Sequence, residues 1–462
     1  MHNQHVLDRA YGFIPNHVLK RACASHLSYA LQPSPAVTFS QHLPAPDDPH
    51  ERILAHASGV NALTIDKFEG KYLLSAGADS SIAVWDLEAQ TNATEAGEAY
   101  LPLTSVNKTS EEHKLGITQI QFYPFDSLAF LTSSYDHTVK LYSSETLATS
   151  ASFDLDSVVY NIALSPIASH LLVACATQYP NVRLVDLRSG ATTHSLAGHA
   201  GAVLSTAWSP VREHILASGA TDGTVRFWDV RRSVGELGVL DLEDSVGVMG
   251  NKSTSSRNTT VKQAHRGPVN GIVWTEDRRH LVTCGHDARI RVWDTNTGAN
   301  TLANFGPMVR NNGLSPRLPV LAPIQNLQPG ADLLFYPSDS EILAYELFEG
   351  KLIRRLRRSQ QPQNPADQSG ATATASTKGQ RNIKDRITSL AWRPHDVEMY
   401  SAHADGSIAA WKPRTEEDAD LDEEEELERE EREVDKKRKR GVLDEIYQGL
   451  TKKQITFGNM GL

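Results

Sequence analysis

Hydrophobic residues in this chain fall into short runs separated by polar and turn-forming residues. Residues 59–88 contain three such runs, VNALTI, YLLSAG and IAVWDL, separated by Glu69-Gly70 and by Ala78-Asp79-Ser80. Alternation with a period of two, bounded by Gly, Asp and Ser, predicts β-strands buried on both faces. The pattern returns along the sequence, so the chain is expected to consist of repeated β units.

A fixed spacing of polar and aromatic residues marks these units. Five aspartates are followed six residues later by an aromatic residue: Asp79/Trp85, Asp136/Tyr142, Asp222/Trp228, Asp287/Trp293 and Asp405/Trp411. Four of them have a histidine 22 or 23 residues upstream, namely His56, His113, His199 and His265. These offsets identify the unit as a WD repeat, in which four strands form one blade of a β-propeller. We expect an all-β fold of seven blades, or of six if residues 317–350 do not form one.

The spaced residues of each complete unit are expected to form a buried hydrogen-bonded tetrad. In WD repeats the aspartate braces the histidine, which bonds a serine or threonine that reaches the tryptophan. The predicted sets are His56/Ser75/Asp79/Trp85, His199/Ser218/Asp222/Trp228 and His265/Thr283/Asp287/Trp293. Such a network specifies a unique core, so these histidines are assigned to structure rather than to catalysis or metal binding. The unit at His113 has Tyr142 in place of tryptophan, residues 157–187 lack both the histidine and the tryptophan, and the last unit lacks the histidine.

The remaining segments divide the chain into an N-terminal helical arm (1–35), the propeller (36–413) and a charged C-terminal tail (414–462) that is disordered or helical. The arm is predicted as a helix–loop–helix whose main helix begins after Asn16 and has Val18 and Leu19 on its apolar side. It is expected either to pack on its own blades or to dock into a groove on a partner. Residues 36–40 or 52–55 are predicted to supply the outer strand of the last blade, because an unpaired edge would otherwise remain. Residues 88–112, 231–264 and 357–382 are predicted to be polar insertions.

The net charge of −10 is concentrated in the tail. Residues 415–435 hold fourteen acidic residues against two arginines, and the rest of the chain is nearly neutral. A neutral propeller does not favour nucleic acid as a primary ligand. The basic residues Lys436, Lys437, Arg438, Lys439 and Arg440 follow the acidic run. They are predicted to be a nuclear localisation signal, the alternative being the second half of a solvated charged helix.

Several function classes find no support in the sequence. The cysteines Cys23, Cys175 and Cys284 form no CxxC pair, so no zinc or other metal site is expected. No cofactor is expected, and no motif of a nucleotide-binding, metalloprotease or hydrolase enzyme is present. The chain has no secretory signal and no run of 18 apolar residues, so we expect an intracellular protein without a membrane segment.

One motif points to a partner. The third strand of one unit ends in Trp228-Asp229-Val230-Arg231, and LVDLR places Arg188 at the matching point of the preceding unit. Both arginines are therefore expected on the same rim, opposite the turns that carry the tetrad aspartates. We interpret them as donors of charge-assisted bonds to a partner's carboxylates rather than as arginines that contact only water.

The Trp-Asp-Val-Arg box resembles the WDxR signature of substrate receptors that bind the damage-binding adaptor of cullin-4 ubiquitin ligases. The phrases EGKYLLSAGADSSIAVWDLE, SPVREHILASGATDGTVRFWDVRRS, AHRGPVNGIVW and GANTLANFG resemble the Cockayne syndrome group A family over about residues 50–413. The acidic, KKRKR-bearing tail is not part of that resemblance, and the stretch before His56 looks longer.

The resemblance implies a non-catalytic, nuclear substrate receptor in transcription-coupled nucleotide excision repair. Adaptor binding would involve Trp228, Asp229, Arg231 and Arg188, and the arm with Val18 and Leu19. The implied clients are the Cockayne syndrome group B translocase and the RNA polymerase II complex, held by the opposite rim, with no direct sequence-specific DNA binding. The alternative is a WD-repeat scaffold of another nuclear complex, in chromatin or RNA processing, because the fold alone does not decide between them.

Overall fold

The computed structural model describes residues 11, 27–34, 37–41, 54–89, 92–94, 97–106, 112–167, 169–232, 235–244, 262–323, 327, 332–358 and 386–413. The predicted arm residues Val18 and Leu19 lie outside these ranges, as do the acidic run 415–435 and the basic residues 436–440. The chain divides into two compact units, Met1–Lys412 and Pro413–Leu462, and only Pro413 of the second is described.

Thirty strands make up almost all of the regular structure in the described part of the chain. Before the repeats lie a helical segment at residues 27–30, β1 (Leu31–Pro33) and β2 (Val37–Phe39). The next strands are β3 (Val60–Ile65), β4 (Tyr72–Gly77), β5 (Ile82–Asp86), β6 (Asn92–Thr94), β7 (Gly97–Tyr100), β8 (Pro102–Val106), β9 (Ile117–Phe122), β10 (Ala129–Ser134), β11 (Thr138–Ser143) and β12 (Thr149–Asp154). They are followed by β13 (Val159–Leu164), β14 (Leu172–Thr177), β15 (Asn181–Asp186), β16 (Thr192–Ala197), β17 (Val203–Trp208), β18 (Ile215–Ala220), β19 (Val225–Asp229) and β20 (Glu236–Val239). The last are β21 (Val269–Trp274), β22 (His280–Gly285), β23 (Arg289–Asp294), β24 (Val320–Leu321), β25 (Leu333–Pro337), β26 (Glu341–Glu346), β27 (Leu352–Arg357), β28 (Ile387–Trp392), β29 (Met399–His403) and β30 (Ile408–Pro413).

These strands form a seven-bladed β-propeller, which confirms the predicted fold class. In order, the blades are β3-β4-β5-β8, β9 to β12, β13 to β16, β17 to β20, β21-β22-β23, β24 to β27, and β28-β29-β30-β1. We number them blades 1 to 7 and call the strands of each blade a to d from the inside outwards. Residues 317–350 contribute β24, β25 and β26 of blade 6, so the count of seven holds and the alternative of six does not. Blade 5 has three strands, and an isolated bridge from Trp293 to Asn300 stands in place of strand d.

The core lies between neighbouring blades. Four of the largest side chains that solvent does not reach are Trp85, Trp228, Trp293 and Trp411, one from strand c of blades 1, 4, 5 and 7. Each hydrophobic cluster joins two blades, as where Val203 and Leu216 of blade 4 pack with Val182 and Leu184 of blade 3. The period-2 pattern thus buries both faces of each sheet, because a neighbouring blade covers each side.

The ring is closed by a strand from the N-terminal segment, but not by the one predicted. Strand β1, Leu31–Pro33, pairs with β30 as the outer strand of blade 7, whereas residues 36–40 and 52–55 were expected there. Leu31 is fully buried against Trp411 and Met399, which explains why this position is apolar. The propeller therefore begins inside the range predicted for the arm (1–35), because the helical segment ends at residue 30 and a strand begins at residue 31.

The predicted insertion at 88–112 is partly structured. It holds strand d of blade 1 (β8) and the hairpin β6–β7, to which β2 adds in parallel. Phe39 of β2 stacks on Tyr100 with ring centroids 5.1 Å apart and meets Trp85 edge-on at 5.3 Å. The described residues 37–40 of the segment expected to close the ring therefore pack beside blade 1 instead. In the second predicted insertion, 231–264, Glu236–Val239 forms strand d of blade 4.

The ring has two distinct rims. Because strands alternate in direction, the b–c turns and the d–a connections lie together on one rim, which we call the upper rim. The a–b and c–d turns lie on the other, which we call the lower rim. The tetrad aspartates belong to b–c turns and hence to the upper rim.

The predicted tetrads are present and largely buried. In blade 5 the Trp293 Nε1–H donates to Thr283 Oγ1 over 2.9 Å, and the Thr283 hydroxyl lies 2.7 Å from His265 Nε2. On the other side of the imidazole, His265 Nδ1 lies 3.0 Å from Asp287 Oδ1. The hydroxyl accepts from tryptophan and so donates to Nε2, which leaves the proton of a neutral histidine on Nδ1, facing the carboxylate.

Blades 1 and 4 repeat this arrangement with a hydroxyl beside the aspartate. His56 and His199 each lie 2.7 Å from the strand-b serines Ser75 and Ser218, which accept from Trp85 and Trp228. Their Nδ1 atoms are 3.8 and 3.4 Å from Asp79 and Asp222, and each also contacts a hydroxyl, of Ser81 or Thr224. The predicted structural role of these histidines therefore agrees with the bonds that they make.

The incomplete units depart from the pattern in different ways. In blade 2, His113 joins Asp136 and Thr132, while the Tyr142 hydroxyl donates to Glu112 over 2.7 Å. In blade 7, where no histidine precedes the aspartate at the expected offset, His403 on strand b lies 3.0 Å from Ser401, which also accepts from Trp411. A histidine from a different position thus replaces the missing one.

Burial and hydrogen bonding act in opposite directions on the tetrad aspartates. Partial burial raises the pKa of each carboxyl, but bonds from the histidine, from a hydroxyl or arginine side chain and, in most blades, from backbone N–H groups outweigh it. The pKa values of Asp79, Asp136, Asp222 and Asp287 therefore lie far below the ordinary 3.8. Burial lowers the pKa of His265, which keeps its ring neutral.

Candidate partner-binding site on the lower rim

The turn after strand c is built the same way in four blades. The aspartate that ends the strand accepts a bond from the backbone N–H two residues later: Asp86 from Glu88 over 2.9 Å, Asp186 from Arg188 over 3.0 Å, Asp229 from Arg231 over 3.1 Å and Asp294 from Asn296 over 3.0 Å. This turn fixes the backbone locally. Arg188 and Arg231 therefore occupy equivalent positions on the lower rim of adjacent blades, as their spacing predicts.

Asp229 clamps Arg231 in place. The Arg231 Nε–H and Nη2–H donate to the two carboxylate oxygens over 3.0 and 2.9 Å, which is a bidentate pair. The Arg231 side chain is nevertheless 62% exposed, whereas that of Asp229 is 3% exposed. Three of the five N–H donors of the guanidinium take no part in this pair, so the group is held in one orientation with donors left for a partner.

Trp228 and Asp229 do not present a surface to a partner. Trp228 is 1% exposed and takes part in the tetrad of blade 4, while Asp229 is buried beneath Arg231 and Arg232. Asp229 holds Arg231 in position. The predicted place of Trp228 and Asp229 in an adaptor contact stays a prediction. The bonds from Arg231 are the main cause that lowers the pKa of Asp229, and the same pair raises the pKa of Arg231.

Arg188 is exposed and is not clamped in this way. The second oxygen of Asp186 accepts from the Ser189 hydroxyl over 2.9 Å, at a point where blade 4 has Arg232. The two arginines thus share a backbone position but not a side-chain arrangement. Ordering Arg188 in a complex costs rotamer entropy that Arg231 has already lost.

Sequence reasoning missed an apolar belt on the same rim. The a–b turns of blades 1 to 4 each expose at least one large hydrophobic side chain: Phe68 (51%), Phe125 (47%), Leu128 (55%), Ile167 (38%) and Val211 (55%). The corresponding turn of blade 5, residues 275–279, is TEDRR. Exposed apolar residues that recur side by side mark interaction surfaces. The signal in the sequence was a bulky apolar residue at the same turn of four consecutive units.

The described end of the N-terminal segment packs on the propeller. Leu27 and Leu31 are buried against Leu333, Ile342 and Leu356 of blade 6. Arg354 on strand d of that blade donates to the carbonyl oxygens of Ser28 and Tyr29 over 3.0 and 3.2 Å and lies 4.9 Å from the Tyr29 ring centre. Residues 27–33 are therefore anchored to the blades. The predicted docking of the arm to a partner concerns residues that the structure does not describe.

The geometry of the described residues also bears on a metal site, a membrane span and a reactive thiol. Within the described ranges, no three His, Cys, Asp or Glu side chains are grouped so that they hold a metal ion. Nor does any helix in those ranges have the length and apolar character to cross a membrane. Cys175 and Cys284 are free thiols, and burial raises the pKa of the Cys175 thiol to about 12.

The residues that match a known family model form four separate segments. The family model WD domain, G-beta repeat matches residues 49–86, 104–143, 190–229 and 256–294, which correspond to the four blades with a histidine–aspartate pair. An Arabidopsis thaliana protein, WD repeat-containing protein ATCSA-1, is 28% identical over 421 residues, covering 78% of this chain and 86% of that protein.

Two further relatives belong to another group. Ribosome biogenesis protein ytm1 of Neurospora crassa is 28% identical over 271 residues, covering 53% of this chain and 55% of that protein. Its counterpart in Emericella nidulans is 27% identical over 283 residues, covering 55% and 56%. The chain thus spans about half the length of these ytm1 proteins. The chain contains four segments that match the WD repeat, within a seven-bladed β-propeller.

Proposed function

We propose that this protein is a non-catalytic substrate receptor of a cullin-4 ubiquitin ligase in transcription-coupled nucleotide excision repair. Its lower rim and N-terminal arm bind the damage-binding adaptor, and its upper rim holds the client. The observation that carries the proposal is Arg231, fixed by Asp229 and exposed on the same rim as the apolar belt of blades 1 to 4.

The lower rim combines the two features of a protein interface. Exposed apolar side chains supply burial, and a preorganised arginine supplies directional bonds without a further entropy cost. The CSA-named Arabidopsis relative supports this assignment, because the match extends over most of both chains and well beyond the four repeats.

The mechanism is one of proximity. A rigid ring bound to the adaptor on one rim holds a client on the other, which raises the effective concentration of client lysines near a ubiquitin-charged enzyme. The receptor itself supplies no acid, base or nucleophile. The proposed clients are the Cockayne syndrome group B translocase and the RNA polymerase II complex, and the proposed compartment is the nucleus, with residues 436–440 as the import signal.

A second candidate is a scaffold in ribosome biogenesis, which the ytm1 relatives favour. Those matches cover about half of each protein, the extent expected of shared repeats alone. The receptor proposal is preferred for that reason. A complex isolated from cells that contains pre-ribosomal proteins but no cullin supports the scaffold instead.

Binding of the purified adaptor to the intact chain tests the proposal. We expect Arg231→Glu to weaken binding by at least about tenfold, because it removes the donors and places a carboxylate beside Asp229. Val211→Asp should weaken binding similarly by charging the apolar belt. Val211 is 55% exposed, so this change leaves the fold intact.

Arg279→Glu is the matched control. Arg279 is exposed on the a–b turn of blade 5, on the lower rim, and that turn has the polar sequence TEDRR. Adaptor binding that is unchanged by both Arg231→Glu and Val211→Asp contradicts the proposal. Equal losses in all three variants also contradict it, since they show a general charge effect and not a defined site.

A further inference from the structure

Blade 3 differs from the complete blades at every tetrad position. By strand register, Tyr179 stands where the tetrad aspartate is found, Cys175 where the serine or threonine is found, and Val185 where the tryptophan is found. By the register of strand a, Leu155 stands where the histidine is found. The nearby Ser157 has a buried hydroxyl with no hydrogen-bond partner among the described residues. Blade 3 thus keeps the strands but has lost the polar network.

This loss leaves one arginine without a carboxylate. Arg183, Arg226 and Arg291 occupy the same position on strand c, two residues before the tryptophan position. Arg291 pairs with the tetrad aspartate Asp287 over 2.7 Å, and Arg226 pairs with Glu236 over 2.8 Å. In blade 3, Tyr179 replaces the aspartate, and the guanidinium of Arg183 lies 5.6 Å from its ring centre. No acidic side chain in the described part of the chain forms an ion pair with Arg183.

The same substitution borders a cavity. A cavity of about 350 Å³ opens between the b–c turn of blade 3 and the connection to blade 4, lined by Tyr179, Pro180, Asn181, Arg183, Ala197, Gly198 and His199. Gly198 is one wall of the cavity, and Trp228 and Arg226 leave no room for a side chain at that position. The amide oxygen of Asn181 is buried and has no partner among the described residues. The His199 ring is hydrogen-bonded to Ser218 and Thr224, so it lines the cavity without a ring nitrogen left for a ligand.

We propose that this cavity binds the carboxylate side chain of an acidic peptide segment of the client. One guanidinium presents a fork that matches one carboxylate, and Tyr179 and Pro180 form an apolar wall for the methylene groups of the side chain. A backbone N–H of the bound peptide supplies the donor that Asn181 lacks. The cavity lies on the upper rim, where the proposed function places the client. The identification of the ligand as a client segment therefore rests on the proposed function.

The surroundings favour a peptide over a nucleic acid. Glu236 lies beside Arg226 at the edge of the cavity, so only one guanidinium there is without a carboxylate. Backbone phosphates are bound by several cations placed along a groove. A single arginine with an aromatic and a proline wall instead suits one acidic side chain.

The test selects peptides from a displayed random dodecapeptide library on the immobilised intact protein. Each enriched peptide is then synthesised with its glutamate or aspartate and with the matching amide, and its affinity is measured by fluorescence polarisation. On the wild type we expect the amide form to bind at least about tenfold more weakly, the size of one charge-assisted hydrogen bond. The acid and amide forms should bind Arg183→Gln with equal affinity. The four affinities form a double-mutant cycle that isolates the interaction between Arg183 and the carboxylate of the peptide.

Three further measurements keep the result interpretable. Arg279→Gln, an exposed arginine on the lower rim of blade 5, should retain the preference for acid. Tyr179→Ala, at a side chain that is 47% exposed, should weaken peptides of both forms without unfolding the protein. Binding of the adaptor should be the same for Arg183→Gln and the wild type, so that failure of this site and failure of the proposed function are distinguishable.

Two outcomes overturn the proposal. One is a library with no enrichment of acidic residues, or an acid preference that survives Arg183→Gln. The other is a single-stranded oligonucleotide that binds the wild type and loses binding with Arg183→Gln while no peptide does so, which assigns the cavity to phosphate.

Discussion

Blades 3 and 5 have the same strand register but opposite polar contents. Blade 5 holds a satisfied chain from Asp287 through His265 and Thr283 to Trp293, and its strand-c arginine is paired with Asp287. Blade 3 has no such chain, and its arginine faces a tyrosine. Hydrophobic packing between blades is thus sufficient to place the strands. The tetrad adds local rigidity, and the blade without it has side chains left for binding.

The largest expected effect comes from breaking the network in blade 5. His265→Ala leaves Thr283 and Asp287 without one partner each and creates a cavity, so we expect a loss of about 2–4 kcal/mol in the free energy of unfolding. In the segment that precedes strand a of blade 3, Ser157→Ala removes a hydroxyl that has no partner among the described residues, and stability should stay equal or rise by up to ~1 kcal/mol. Urea unfolding of both variants measures the difference. Equal losses in the two blades contradict the comparison.

Acidification should destabilise blade 5 through His265. Burial lowers the pKa of His265 from 6.5. On acidification the unfolded chain therefore binds a proton at pH values where His265 in the folded protein is still neutral. Its contribution to stability is complete above pH 6.5 and decreases as the pH falls below that value. A second decrease begins below about pH 4, where the unfolded carboxyls become protonated and the tetrad aspartates do not.

Unfolding measured between about pH 7.5 and 5.5 checks the first step. His265→Gln should have lower stability throughout but a flatter dependence on pH in this range. A wild type whose stability rises on acidification through this range contradicts the assignment of a neutral, buried His265.

A smaller effect is expected when the blade 5 arrangement is restored in blade 3. Tyr179→Asp gives Arg183 the carboxylate that Arg291 has in blade 5, and such a partly exposed pair should change stability by no more than about 1 kcal/mol. The same change should abolish the preference for acidic peptides, because the introduced carboxylate then pairs with the Arg183 guanidinium in place of the peptide. Thermal unfolding and peptide polarisation measure the two effects. Retained acid preference in Tyr179→Asp is incompatible with Arg183 as the binding group.

The sequence predicted what depends on fixed local offsets. Histidine, hydroxyl, aspartate and tryptophan recur at set spacings because each blade has the same register, so the tetrads and the position of Arg231 followed from counting residues. The closing strand did not follow, because Leu31–Pro33 has only three residues and continues a helix-like pattern. Its assignment depends on pairing with β30 at the far end of the chain.

Features defined by tertiary partners were also beyond the sequence. His403 replaces a histidine from a different place in its repeat, which spacing cannot reveal. The clamp on Arg231 depends on which group donates to the second oxygen of the aspartate that ends strand c. In blade 4 Arg231 donates to Asp229, whereas in blade 3 the Ser189 hydroxyl donates to Asp186, at the position where blade 4 has Arg232. The cavity borders positions of blade 3 from which the tetrad residues of the other blades are absent. Only the strand register shows that Arg183 lacks the aspartate that its equivalent has in blade 5.

Hydrogen exchange of the intact protein, alone and with the purified adaptor, tests most directly the claim that the lower rim is the adaptor face. We predict that the adaptor slows exchange in the a–b turns of blades 1 to 4 and in the turn that carries Arg231, and leaves the b–c turn at residues 178–181 unchanged. Slowed exchange at the b–c turns, with the a–b turns unaffected, contradicts the account.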